Sequence, residues 1–182
     1  MNIWHDMNPE KITADEFYAV IEIEKGGKNK YELDKDTGML KLDRVLYTST
    51  HYPANYGFIP RTWAEDNDPL DVLVLCSESI QPMTLVSCKP IGVIRMNDQG
   101  ELDEKIIAVC ISDPFYNGYE DISQLPSHID NEMRHFFEVY KTLENKDTTV
   151  QVIEGRDQAK EVINKAIDAY KRLFADDKNI QP

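Results

Sequence analysis

The densest run of reactive side chains is Glu65-Asp66-Asn67-Asp68-Pro69-Leu70-Asp71, where three aspartates fall two and three residues apart in a turn. Crowded carboxylates repel one another, and the remedies are protonation, a basic partner or a cation. No Lys or Arg is interleaved here, so the spacing points to a hard cation. Mg2+ suits such a set, because it takes one or two carboxylates and fills its other positions with water and phosphate oxygens. The plainer alternative is a solvated acidic turn. Against it, the turn feeds straight into Val72-Leu73-Val74, which anchors its end near a core.

A second acidic run, Asp98-Gln99-Gly100-Glu101-Leu102-Asp103-Glu104-Lys105, follows Val93-Ile94-Arg95-Met96. Alone it reads as a hairpin tip; with the first it makes a candidate multi-metal site at strand ends. Lys30, Arg44, Lys105, Lys141, Tyr52, Tyr56 and Tyr140 complete the inventory. Singly, each reads as a surface charge or a core aromatic. Together with metal-holding aspartates they are what phosphoryl transfer requires: cations neutralise phosphate oxygens, and a carboxylate positions or deprotonates water.

Other sites fail on their letters. An EF-hand loop begun at Asp66 would place Leu70 fifth and Asp71 where Gly is required. His5, His51, His128 and His135 lack zinc-ligand spacing. Gly27-Lys28 is followed by Asn29, which excludes a P-loop.

The chain has 182 residues and a formal net charge of −13. One domain spanning 1–182 is the expectation at that length. The charge argues against binding a phosphate backbone or an anionic membrane, except through bridging cations. Cys76, Cys88 and Cys110 sit in apolar stretches without C-x-x-C spacing and read as buried free thiols. The first residues lack a basic segment leading into an apolar one, so the expected compartment is the cytoplasm.

The elements that must position these groups are mainly strands, followed by helices. Phe17, Ala19, Ile21 and Ile23 alternate with Tyr18, Val20, Glu22 and Glu24. Further strands are expected at Lys30–Leu33, Met39–Leu42, Val72–Cys76, Leu85–Cys88, Ile91–Met96, Ile106–Ile111 and Thr148–Ile153. Many short strands separated by turns suggest a closed or nearly closed sheet. Met133, Phe136, Phe137, Tyr140 and Leu143 have helical spacing, and Ser127 with Asp130 resembles a capping box. Ala159, Val162, Ile163, Ala166, Ile167, Tyr170, Leu173 and Phe174 form a second helical stripe expected to pack on the core. The tail at 176–182 is expected to fray.

The run Asp66-x-Asp68-Pro69-x-Asp71-Val72-Leu73-Val74 resembles the signature of the family I soluble inorganic pyrophosphatases, bacterial type. The likeness extends over roughly residues 15–155, through Ile21-Glu22-Ile23, Lys30-Tyr31-Glu32, Asp43-Arg44, Tyr52-Pro53-x-Asn55-Tyr56-Gly57 and His135-Phe136-Phe137-x-x-Tyr140-Lys141. It implies an α+β, mainly β fold: a five-stranded OB-like β-barrel flanked by two main helices. It also implies Mg2+-dependent hydrolysis of diphosphate to two orthophosphates, several cations per site with Mn2+ or Zn2+ as substitutes, and a homo-oligomer, usually a hexamer. Carried over residue by residue, Asp66, Asp71 and Asp103 would bind the tightest cation. Asp71 would bridge it to a second, with water between, and Asp68 would accept that water's proton. Asp98 and Asp103 would hold a cation arriving with substrate, and Glu22 would assist a further one through water. Lys30, Arg44, Tyr56, Lys105, Tyr140 and Lys141 would hold the phosphates, with Glu32 and Tyr52 in the site wall. The stretch at 24–29 and that at 112–122 depart from the pattern. The competing readings are a catalytically inactive metal-binding relative and an OB-type binding module. The latter would need a basic groove with stacking aromatics.

Overall fold

The computed structural model describes residues 2–174, so the expected frayed tail at 176–182 lies outside the described residues. Eight strands and two main helices follow in chain order: β1 (Phe17–Ile23), β2 (Asn29–Leu33), β3 (Leu40–Val45), β4 (Asn55–Phe58), β5 (Asp71–Leu75), β6 (Leu85–Asp98), β7 (Glu101–Cys110), α1 (Ser127–Val139), β8 (Thr148–Gly155) and α2 (Arg156–Phe174). The main sheet runs β1-β4-β5-β7-β6-β8, and β1 also pairs with β6, so five strands close on themselves in a ring. β2 and β3 form a separate hairpin. The mainly-β fold with a five-stranded closed sheet and two helices matches the expectation.

Period-2 alternation divides the ring's side chains between two cores. Val72 and Val74 of β5, with Ile106 and Ala108 of β7, face the α2 residues Ala159, Val162, Ile163 and Ala166. Leu73, Leu75, Ile107 and Val109 face the opposite way, toward Met133, Phe136 and Phe137 of α1. A third, aromatic cluster joins Trp4, Val20, Phe58 and Tyr170.

Several local expectations are corrected. Leu85–Cys88 and Ile91–Met96 are one strand, with a register shift between Pro90 and Gly92; proline lacks a donor, and the ladder passes it with a bulge. β4 escaped the sequence reading because Asn55-Tyr56-Gly57-Phe58 has no apolar alternation, and all four residues are buried. Gly57 is required there, since a Cβ would lie 1.8 Å from the Val20 carbonyl oxygen. Ser127 does not cap α1; Pro126 occupies that position without a side-chain bond, and the capping box belongs to Asp121 and Gln124 of the short 3-10 turn at Ile122–Gln124. Leu143 and Leu173 are exposed rather than core, each lying at the end of its helical stripe. The three cysteines are free thiols, with Cys76 only half-buried. Among the described residues, no helix is long and apolar enough to cross a membrane.

Candidate active site

The parallel pairing of β5 with β7 sets Asp71 directly beside Lys105. Asp103 lies two residues before Lys105 and so projects from the same face of the strand. The Lys105 ammonium, 3 % exposed, donates to Asp71 Oδ2 at 2.7 Å, to Asp103 Oδ1 at 3.1 Å and to Tyr56 Oη at 3.1 Å. The Tyr56 hydroxyl in turn donates to Asp71 Oδ2. Burial alone would lower the Lys105 pKa, but Asp103 and Asp71 outweigh it and hold it well above the ordinary lysine value.

A cavity of about 280 Å³ opens over this cluster. It gathers seven carboxylates, Glu22, Glu32, Asp66, Asp68, Asp71, Asp98 and Asp103. Four lysines, Lys30, Lys35, Lys105 and Lys141, face them with Tyr56 and Tyr140. β1 delivers Glu22 through a bulge: Ile21 pairs with Gly57 and Ile23 with Tyr56, leaving Glu22 without a partner in the ladder. β6 ends at Asp98, and the next two residues, Gln99 and Gly100, have φ of 54° and 94°. Two residues at positive φ between Asp98 and its partner Glu101 make a tight hairpin, the expected tip. The β2–β3 hairpin brings Lys30, Glu32 and Lys35 over the opening.

Two predicted residues stand outside this lining. Arg44 is ion-paired with Asp43 and, through Nε, with Glu144 Oε1 at 2.9 Å. Tyr52 is buried against Tyr56 and Phe136, at ring centroid distances of 5.2 and 4.8 Å. Conversely, the sequence reading passed over Lys35, Tyr31 and Glu144. Lys35 lies in the loop between β2 and β3 and pairs with Asp68, 33 positions away. No local pattern signals a contact made by one loop folding over another.

The electrostatics separate the carboxylates. Burial raises Glu22 from 4.5 to about 8, although the Leu33 backbone N–H donates to its Oε1 at 2.7 Å. Burial, then the charges of Asp71 and Asp103, raises Asp66 to about 6. Asp103 is also raised, by burial, against the pull of Lys105. Burial would raise Asp98 too, but the paired Lys141 ammonium outweighs it and lowers the group. Burial pushes Tyr56 and Tyr140 up, so both phenols stay protonated and able to donate.

These donors fit a hard cation. The lining offers carboxylate oxygens and neither His nor Cys, and seven carboxylates exceed four ammonium groups. Among the described residues, however, no three acidic groups are already drawn into a cation cage. Lys105 lies between Asp71 and Asp103, Lys35 holds Asp68, and Lys141 holds Asp98. The acidic runs therefore do have basic partners, supplied by tertiary structure rather than by neighbouring letters.

A family model described as inorganic pyrophosphatase matches residues 19–171. Soluble inorganic pyrophosphatase 2 of Chlamydomonas reinhardtii is 50% identical over 171 residues, covering 94% of this chain and 89% of the relative. The inorganic pyrophosphatase of Picrophilus torridus is 44% identical, over 95% of this chain and 98% of its own. Among solved structures, the inorganic pyrophosphatase from Thermus thermophilus superposes with a TM-score of 0.89 at 37% identity, covering 93% of this chain and 99% of that one. That from Helicobacter pylori gives 0.85 at 43% identity, covering 88% and 96%. By sequence over most of its length, and by the closed sheet that carries the aspartates, this chain belongs to the inorganic pyrophosphatase family.

Proposed function

We propose that this chain hydrolyses inorganic diphosphate to two orthophosphates with Mg2+, in the cavity above Asp71 and Lys105. The observation that carries the reading is the joint lining of seven carboxylates and four lysines in a member of this family. An acidic protein meets an anionic substrate through such a mixed surface, with cations between the carboxylates and the phosphate oxygens.

Asp66, Asp71 and Asp103 would hold the tightest cation, Asp98 with Asp103 a further one, and Glu22 would assist through water. When bound, these cations neutralise phosphate oxygens and lower the pKa of water; Mn2+ or Zn2+ would substitute for Mg2+. Lys30, Lys105 and Lys141 supply fixed positive charge for the phosphate oxygens, and the Tyr56 and Tyr140 hydroxyls donate to them. Arg44 joins them on leaving Glu144, while Glu32 and Tyr52 shape the wall. Asp68 stands apart from the Asp71–Lys105–Asp103 cluster, with its side chain 56% exposed and paired to Lys35. That position suits a proton acceptor for the attacking water rather than a principal cation ligand. The Chlamydomonas reinhardtii relative is a soluble pyrophosphatase, which supports a soluble enzyme here, with the cytoplasm as its proposed compartment. The family resemblance supports a homo-oligomer, a hexamer.

Asp66→Asn and Asp68→Asn test the division of roles. Asp66→Asn should weaken Mg2+ binding in a titration, with activity partly restored by added Mg2+. Asp68→Asn should keep tight Mg2+ binding and lower the rate, with partial recovery as pH rises. An Asp68→Asn variant that mainly weakens Mg2+ binding, with an unshifted pH–rate profile, makes Asp68 another ligand and overturns the assignment.

A further inference from the structure

The loop bearing Asp66 and Asp68 leaves the sheet where β4 and β5 part. Their register ends at Phe58 opposite Asp71. One further ladder bond follows, from the Ile59 N–H to the Leu70 carbonyl at 2.9 Å. In place of the return bond, the Thr62 hydroxyl stands between the strands. It donates to the Ile59 carbonyl at 2.6 Å and accepts from the Leu70 N–H at 2.9 Å. Thr62 is fully buried, so water cannot replace either bond.

The backbone around Thr62 is tied to two distant parts of the chain, Trp4 and α2. The Trp4 indole N–H donates to the Thr62 carbonyl at 3.1 Å, and the Arg61 N–H donates to the Trp4 carbonyl at 3.0 Å. The Trp63 N–H donates to the Ala166 carbonyl on α2 at 3.0 Å. Trp4 also reaches the loop's far end: the Lys35 ammonium, which pairs with Asp68, lies 5.2 Å from the Trp4 ring centroid. Trp4 is itself 4 % exposed and stacked on Trp63, with ring centroids 5.7 Å apart.

From this geometry we propose that Thr62 and Trp4 are positioning residues of the active site, fixing the loop at 62–70 so that Asp66 is presented for cation binding. The N-terminal segment thereby becomes a working part of the site, although Trp4 does not line the cavity. The inference rests on the reading of Asp66 as a cation ligand.

The test is calorimetric Mg2+ titration of the parent, Thr62→Val, Thr62→Ser, Trp4→Phe and Asp66→Asn, with thermal melts in chelator. Val keeps the shape of Thr and removes the hydroxyl; Ser keeps the hydroxyl. Thr62→Val should bind Mg2+ roughly tenfold more weakly, with Thr62→Ser close to the parent. Trp4→Phe, which keeps a ring beneath Lys35 and loses the bond to Thr62, should weaken binding about threefold. A merely structural role would lower the melting temperature of these variants and leave the affinity of the folded protein unchanged. Parental Mg2+ affinity in folded Thr62→Val, or in Trp4→Phe should Thr62→Val fail to fold, overturns the inference. If Asp66→Asn also binds as the parent does, the fault lies in the ligand assignment; if only Asp66→Asn weakens binding, it lies in the positioning roles.

Discussion

Glu22 makes stability depend on pH in a way that can be isolated. Its carboxyl is buried, with its pKa raised from 4.5 to about 8. The folded chain therefore holds a proton at neutral pH that the unfolded chain has released. Stability from this proton is fully present below the unfolded value near 4.5 and is lost as pH rises through about 8. Across pH 5 to 8 the linkage amounts to about 3–4 kcal/mol. Glu22→Gln replaces the protonated carboxyl with a neutral isostere that still accepts the Leu33 N–H bond and does not titrate. Denaturant unfolding of both proteins in chelator, at pH 5, 6, 7 and 8, gives the stability of the parent minus that of the variant at each pH. Subtraction cancels the contributions of groups both proteins share, Asp66 and Asp103 among them. The difference should fall by about 3–4 kcal/mol from pH 5 to pH 8. A difference constant to within about 1 kcal/mol would refute the argument that burial keeps Glu22 protonated.

Asp71→Asn removes the charge that faces Lys105 while keeping side-chain volume; its circular dichroism should match the parent and its rate should fall below about a tenth, more than ~1.4 kcal/mol of barrier. Gly57→Ala would press a methyl group against the Val20 carbonyl, so β1 and β4 must separate; thermal melts should show a loss of about 3 kcal/mol or more, or no folded protein. Replacing Mg2+ with Ca2+ should leave the chain nearly inactive in phosphate release, because Ca2+ accepts longer, looser coordination; comparable turnover with Ca2+ would contradict the reading of the donor set.

The sequence was most informative where a local period coincides with burial. Phe17, Ala19 and Ile21 read as a strand because alternate residues enter one core. Ala159, Val162, Ile163 and Ala166 read as a helix face for the analogous reason. Asn55–Phe58 was invisible because its burial comes from neighbours on both sides, which leaves no polar alternation. The acidic runs identified Asp66, Asp68, Asp71, Asp98 and Asp103 as candidates, and the fold gathers all five around one cavity. The charge balance was misread, since Lys105 and Lys35 reach the aspartates through strand register and loop packing. Arg44 and Tyr52 entered as a cation and a phenol accompanying the acidic runs, and only their roles, phosphate contact and site wall, came from family likeness. In this conformation Arg44 is engaged by Asp43 and Glu144, and Tyr52 is enclosed by aromatic rings.

The most direct test of the account is orthophosphate release from inorganic diphosphate by the purified chain, with Mg2+ and with excess chelator. Two orthophosphates should appear per diphosphate consumed with Mg2+, and release should stop when the cation is removed. No release above the enzyme-free control with Mg2+, or undiminished release in chelator, would contradict it.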